Sequence, residues 1–194
     1  MAQKLNIDLE HTAVLAMDFH PGLVEMAMTK DPKFVERTLA VLDAARSAGV
    51  PVIYVIVRFR EGYPEISPRN RTFLPIKERG GFMETGPAAV HPAVAPQPGD
   101  VICEKKRISA FAGSDLEMVL RGQGRTTLIL MGIVTSGVVL STTTEAGDRD
   151  YELLIVRDGC ADFDDEVHRV LLDKVLTRQA AIVQSEDVVE TLRK

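Results

Sequence analysis

Six short apolar runs, rich in β-branched residues, constrain this chain more than any other feature. They are Thr12–Met17 (TAVLAM), Val52–Val57 (VIYVIV), Asp100–Glu104 (DVICE), Thr127–Met131 (TLILM), Leu153–Val156 (LLIV) and Ala181–Val183 (AIV). None alternates polar with apolar residues over its length, so each reads as a strand buried on both faces. Helical patterns lie between them. Pro32–Ala48 sets Phe34, Thr38, Val41, Leu42 and Ala45 on one face, and Gly49 stops it. Ser114–Arg121 and Asp164–Leu176 read as helices, and Ser185 is expected to cap a last one. Strand alternating with helix predicts an α/β protein: a three-layer α/β/α sandwich around a mostly parallel six-stranded sheet, in one domain over 1–194.

Ligands of such sheets bind outside the carboxyl ends of the strands. That rule selects Asp18, Arg58, Lys105, the Gly132–Ser136 turn and Asp158 as residues of one crevice. The stretch GIVTSGVVLST (132–142) reads as a strand turning into a helix, with Thr135 or Ser136 near the N-cap. Free N–H groups at such a terminus favour negative charge. His20 stands two residues beyond Asp18, before Pro21-Gly22, and is a candidate crevice residue.

Residues 58–99 break the rhythm. They carry Pro64, Pro68, Pro75, Pro87, Pro92, Pro96 and Pro98, and Arg58, Arg60, Arg69, Arg71, Lys77 and Arg79. A long segment of this kind is expected to form a lid or a subunit contact. Its basic residues suggest a carboxylate-bearing small molecule as substrate; a solvated excursion is the alternative.

Other partners are disfavoured. The net charge is −5 with no Lys/Arg-dense tract, which argues against nucleic acid or an anionic membrane. No run approaches the roughly 20 apolar residues of a membrane span. The N-terminal MAQKLNIDLEHT lacks a signal-peptide core. Cys103 and Cys160 form neither a disulfide framework nor a zinc motif, so a reduced, cytoplasmic protein is expected. His11, His20, His91 and His168 are scattered. Neither a metal nor a cofactor is expected.

AVLAMDF, DVICEKKRISAFAGSDLEMVL and LILMGIVTSGVVLSTTTEAGDRDYELLIVRDGCAD together resemble the isochorismatase-like hydrolases, a superfamily of cysteine hydrolases. The resemblance runs from Ala13 to about Val188. It implies Asp18 and Lys105 as two members of an Asp–Lys–Cys triad. It also implies a cis peptide at Val134–Thr135 and homo-oligomers. The third position, however, is Val138. Thioester chemistry requires a thiolate, and valine has none. Vinyl ether hydrolysis, another chemistry of the superfamily, needs only an acid. Asp18 would protonate the vinyl carbon, and Lys105 would position the acid or a substrate oxygen. His20, Arg58, Val134, Thr135, Ser136 and Gly137 would contact substrate. A catalytically silent binding protein and an amidase acting through Cys103 or Cys160 are the rival readings.

Overall fold

The computed structural model describes residue 5, residues 7–83 and residues 90–193. Residues 84–89, with Pro87 of the proline-rich segment, lie outside the described residues. The strands are β1 (Thr12–Met17), β2 (Val52–Val57), β3 (Val101–Lys105), β4 (Thr127–Ile133), β5 (Glu152–Ala161) and β6 (Ala181–Val183). They form one sheet in the order β3-β2-β1-β4-β5-β6, and every pairing is parallel. Helices cover both faces, as the doubly apolar strands require. Val14 and Ala16 pack with Val24 of α1 (Pro21–Lys30), Leu42 of α2 (Phe34–Ser47) and Val188 of α7 (Ser185–Leu192). Ala13, Leu15 and Met17 pack on the other face with Leu120 of α4 (Leu116–Gly122) and Ala146 of α5 (Leu140–Gly147). A fully buried Leu or Ile contributes about 1.5–3 kcal/mol, so neither face of β1 tolerates water.

Several boundaries differ from the sequence reading. Pro21–Lys30 is a helix that the sequence reading did not assign; Pro21 takes its first position, where the missing N–H costs nothing. At the C-terminus, Gln184 rather than Ser185 is the N-cap, in a capping box with Asp187. Ser185 is freed to donate its hydroxyl to Asp158 Oδ2 at 2.6 Å. Strand β5 runs on to Ala161 because its register against β4 shifts between Leu130 and Gly132. The shift is possible because position 159 lacks a Cβ; one there would lie 2.9 Å from Met131 Sδ.

The proline-rich segment contains α3 (Leu74–Arg79) and a small core of its own, with Phe59, Tyr63, Ile66 and Phe73 buried together. The helical region between β5 and β6 begins as α6 (Asp165–Val170) and continues as a π-helical turn, Leu171–Val175. Among the described residues no helix is long and apolar enough to cross a membrane.

The chain winds from β1 outward to β3 and from β4 outward to β6, so the order reverses between β1 and β4. A crevice opens at such a switch point, beyond the carboxyl ends of the strands.

Candidate active site

Asp18 is the first residue past β1. Its N–H donates to Val55 O at 2.9 Å, and its φ of 56° lies in the left-handed region. Aspartate tolerates that region better than most non-glycine residues. The bend ends β1 at the switch point. Lys105 ends β3, and its Nζ donates to Asp18 Oδ2 at 2.7 Å and to Ile108 O at 2.6 Å. The Lys105 side chain is 1% exposed and that of Asp18 14%. Asp18 Oδ1 is buried and has no hydrogen-bond partner among the described residues.

Burial sets the electrostatics of the pair. It pushes the Asp18 carboxyl above its ordinary value, against the pull of the Lys105 ammonium. It pushes Lys105 below its ordinary value, against the pull of Asp18. Both directions favour the uncharged forms.

The loop after Lys105 is tied to α5: Thr142 Oγ1 accepts the Ala110 N–H at 2.9 Å, and both groups are buried. Thus the helix that follows β4 also fixes the lysine.

The β4–helix turn forms the opposite wall. Gly132 packs so closely on β1 that a Cβ there would lie 2.8 Å from Met17 O. The cis peptide is Ile133–Val134, one bond earlier than the resemblance implies. Val134, not Thr135 or Ser136, is the N-cap, and a π-helical turn, Thr135–Val139, leads into α5. The Thr135 hydroxyl is buried, 3.2 Å from Ala161 O and 2.8 Å from His168 Nδ1. The Ser136 N–H donates to Asp162 Oδ2 at 2.6 Å, while its side chain is exposed. The negative charge expected at this terminus therefore comes from Asp162 of the chain itself. That residue stands in the GCAD stretch but was not singled out by sequence.

Between these walls lies a cavity of about 310 Å³. Of the residues chosen from sequence, Asp18, His20, Lys105, Val134, Gly137 and Val138 line it. Arg58, Thr135 and Ser136 are not among its lining residues. Arg58 is instead paired with Glu104 at 2.8 Å. Asp158 is also placed elsewhere. It accepts the Ser185 N–H at 2.8 Å and pairs with Arg37 at 3.0 Å, because the longer β5 carries it inside the strand rather than past its end. Phe73, Ile76 and Phe82, from the proline-rich segment, form a roof that sequence did not single out. His20 sits edge-on to Phe82, with ring centroids 4.8 Å apart, and burial lowers its pKa.

Cys103 and Cys160 are buried and do not line the cavity. Burial, with Asp115 beside it, pushes the Cys103 thiol up to about 12. Burial pushes Cys160 up to about 12 as well, against a hydrogen bond from Gly132. Neither carries a thiolate at neutral pH. Among the described residues, no group of three or more His, Cys, Asp or Glu side chains is arranged to hold a metal. Of the histidines, His11 contacts Asp8, His91 accepts the Ala93 N–H and His168 contacts Thr135, which leaves His20 alone at the cavity.

An α/β/α sandwich with an acid–lysine pair at its switch point defines a class of enzyme-like crevice, and comparison with known proteins supplies the family. Residues 12–187 match the model of the isochorismatase domain, and the chain belongs to this hydrolase family. It is 29% identical over 193 residues to the uncharacterised isochorismatase family protein YwoC of Bacillus subtilis, covering 100% of both chains. It is 38% identical over 97 residues to the phenazine biosynthesis protein PhzD of Pseudomonas fluorescens, covering 50% of this chain and 47% of that protein. A solved isochorismatase family protein from Burkholderia thailandensis superposes over 100% of both chains, with a TM-score of 0.83 at 25% identity.

Proposed function

We propose that this isochorismatase-like hydrolase cleaves a vinyl ether by general-acid catalysis, without a covalent intermediate. One observation carries the reading. A buried carboxyl, Asp18, whose Oδ1 has no partner among the described residues, is held by Lys105 at a cavity that Val138 lines and neither Cys103 nor Cys160 reaches.

A general acid must hold its proton at working pH, and burial of Asp18 acts in that direction. The acid delivers its proton to the terminal vinyl carbon. The C=C electron pair forms the new C–H bond, and an oxocarbenium ion remains beside the new Asp18 carboxylate. Water adds to the cationic carbon and returns a proton to Asp18. The hemiketal then breaks its C–O bond to give an alcohol and a carbonyl compound. Lys105 is the positioning residue. Its ammonium holds Oδ2, which leaves Oδ1 for the proton.

The test is release of pyruvate from isochorismate and of acetaldehyde from phenyl vinyl ether, run in D₂O. Turnover should place one deuterium in the product methyl group. Asp18→Asn should lower the rate about 10²–10⁴-fold. Turnover retained in Asp18→Asn, or none with either ether, overturns the reading.

A further inference from the structure

The cavity also constrains what it accepts, by the charges it lacks. Its roof and walls are apolar: Phe73, Ile76, Phe82, Ile108, Val138 and Phe163. Among the described residues, the only acidic or basic side chains in the lining, His20 aside, are Asp18 and Lys105, and they face each other at 2.7 Å. The basic residues of the neighbouring segment are used elsewhere. Arg58 pairs with Glu104, and Arg60 with Glu65 at 2.6 Å. Arg107 donates to Lys106 O and Glu65 O, and Lys106 to Arg58 O. Arg69, Arg71, Lys77 and Arg79 are exposed and do not line the cavity. Residues 84–89 (ETGPAA) include no lysine or arginine.

We propose that the molecule bound here is uncharged and largely apolar, ring-sized, and offers a single oxygen function to the Asp18–Lys105 pair. This rests on the assignment of the cavity as the reaction site and replaces the expectation of a carboxylated substrate. Lysine has three donors. Two are used, on Asp18 and Ile108, so one is left for a ligand oxygen beside the free Asp18 Oδ1. A ligand carboxylate would lose its water against phenyl rings. Among the described residues, the only ammonium lining the cavity is that of Lys105, and it already donates to Asp18 and Ile108. Burying a charge without its own partner is unfavourable. The volume of about 310 Å³ is at the small end of ligand pockets.

Two inert probes of matched shape isolate charge from size: para-nitrophenetole, neutral, and para-ethoxybenzoate, anionic. Binding is measured by ligand-observed NMR on the intact chain at neutral pH. The nitro compound should bind at least about 10-fold more tightly, a difference of roughly 1.4 kcal/mol. In Ile76→Arg, which adds a cation to the roof, the gap should close. Equal or tighter binding of the benzoate by the wild type, or binding of neither probe, overturns the proposal. The readout needs no turnover. Preference for the nitro compound without cleavage of any vinyl ether would sink the reaction assignment alone, and cleavage with tight benzoate binding would sink the substrate class alone.

Discussion

Lys105 Nζ reaches Asp18 Oδ2 at 2.7 Å from two strands away, with β2 between them. Strands lie about 4.8 Å apart, so the bridge spans roughly 10 Å between strand axes. A long, unbranched side chain is needed to cross that gap. Val57 pairs in register with Lys105 and lines the cavity beneath the crossing. The pair therefore depends on the sheet order as much as on its own residues.

Removing the lysine should move the pH profile in a defined direction. Lys105 pulls the Asp18 pKa down, against burial. In Lys105→Met that pull is gone, so Asp18 keeps its proton to higher pH. The alkaline limb of kcat/KM should move up. A limb that stays put or moves down would show that Asp18 is not the titrating acid.

Stability should carry the same signature. The folded-state pKa of Asp18 is raised, so between the unfolded value of about 3.9 and the folded value the native state binds more protons than the unfolded chain. Stability then falls as pH rises through this window, and the penalty is complete above the folded pKa. Asp18→Asn lacks this titration. Its stability relative to wild type, measured by urea unfolding, should increase as pH rises through the window. A constant difference would contradict the raised pKa.

Gly132→Ala should destabilise the chain by about 1–3 kcal/mol, the usual cost of overpacking. Its Cβ would meet Met17 O at 2.8 Å and Met17 Cβ at 3.0 Å, both at the end of β1. Because Asp18 is the next residue, activity should fall beyond what lost stability explains. Urea unfolding and kcat at a temperature where the variant is folded separate the two effects.

Thr142→Val should leave the Ala110 N–H buried without an acceptor, at a cost of about 1–3 kcal/mol. The loop it anchors follows Lys105. We expect a lower kcat with little change in KM, and rescue by Thr142→Ser, which restores the hydroxyl. Failure of serine to rescue would assign the loss to packing.

Thiol reactivity should depend on position 138. The native wild type should resist iodoacetamide, because Cys103 and Cys160 are buried with pKa values pushed up to about 12. Val138→Cys should gain one adduct by intact mass, since position 138 lines the same cavity as Lys105. Alkylation of the native wild type, or a Val138→Cys variant that stays inert, would contradict this geometry.

The sheet was largely legible before any coordinates, because a strand buried on both faces must be apolar along its length. Thr12–Met17, Val52–Val57 and Ala181–Val183 have the expected bounds. The strand-end rule also selected Asp18 and Lys105, which the fold brings together. It failed at Arg58 for a local reason. Register sets Ile56 opposite Glu104, which puts that carboxylate within diagonal reach of Arg58. It failed at Asp158 because the β5 shift, permitted at Gly159, is invisible to periodicity. The aromatic roof escaped notice because Phe73 and Phe82 belong to a segment without a repeating pattern, ordered by its own small core.

By itself, then, the sequence determined the layers, the parallel strands, and the strand ends at which an aspartate and a lysine stand. Hydrophobic periodicity carries such facts because burial is repeated along each element. Only the tertiary structure decided the charge of the cavity. Whether a basic side chain faces a ligand or a neighbouring carboxylate depends on register and loop path, set by contacts between residues far apart in the chain. Those contacts pair Arg58 with Glu104 and Arg60 with Glu65, and set mostly apolar side chains around the acid–lysine pair.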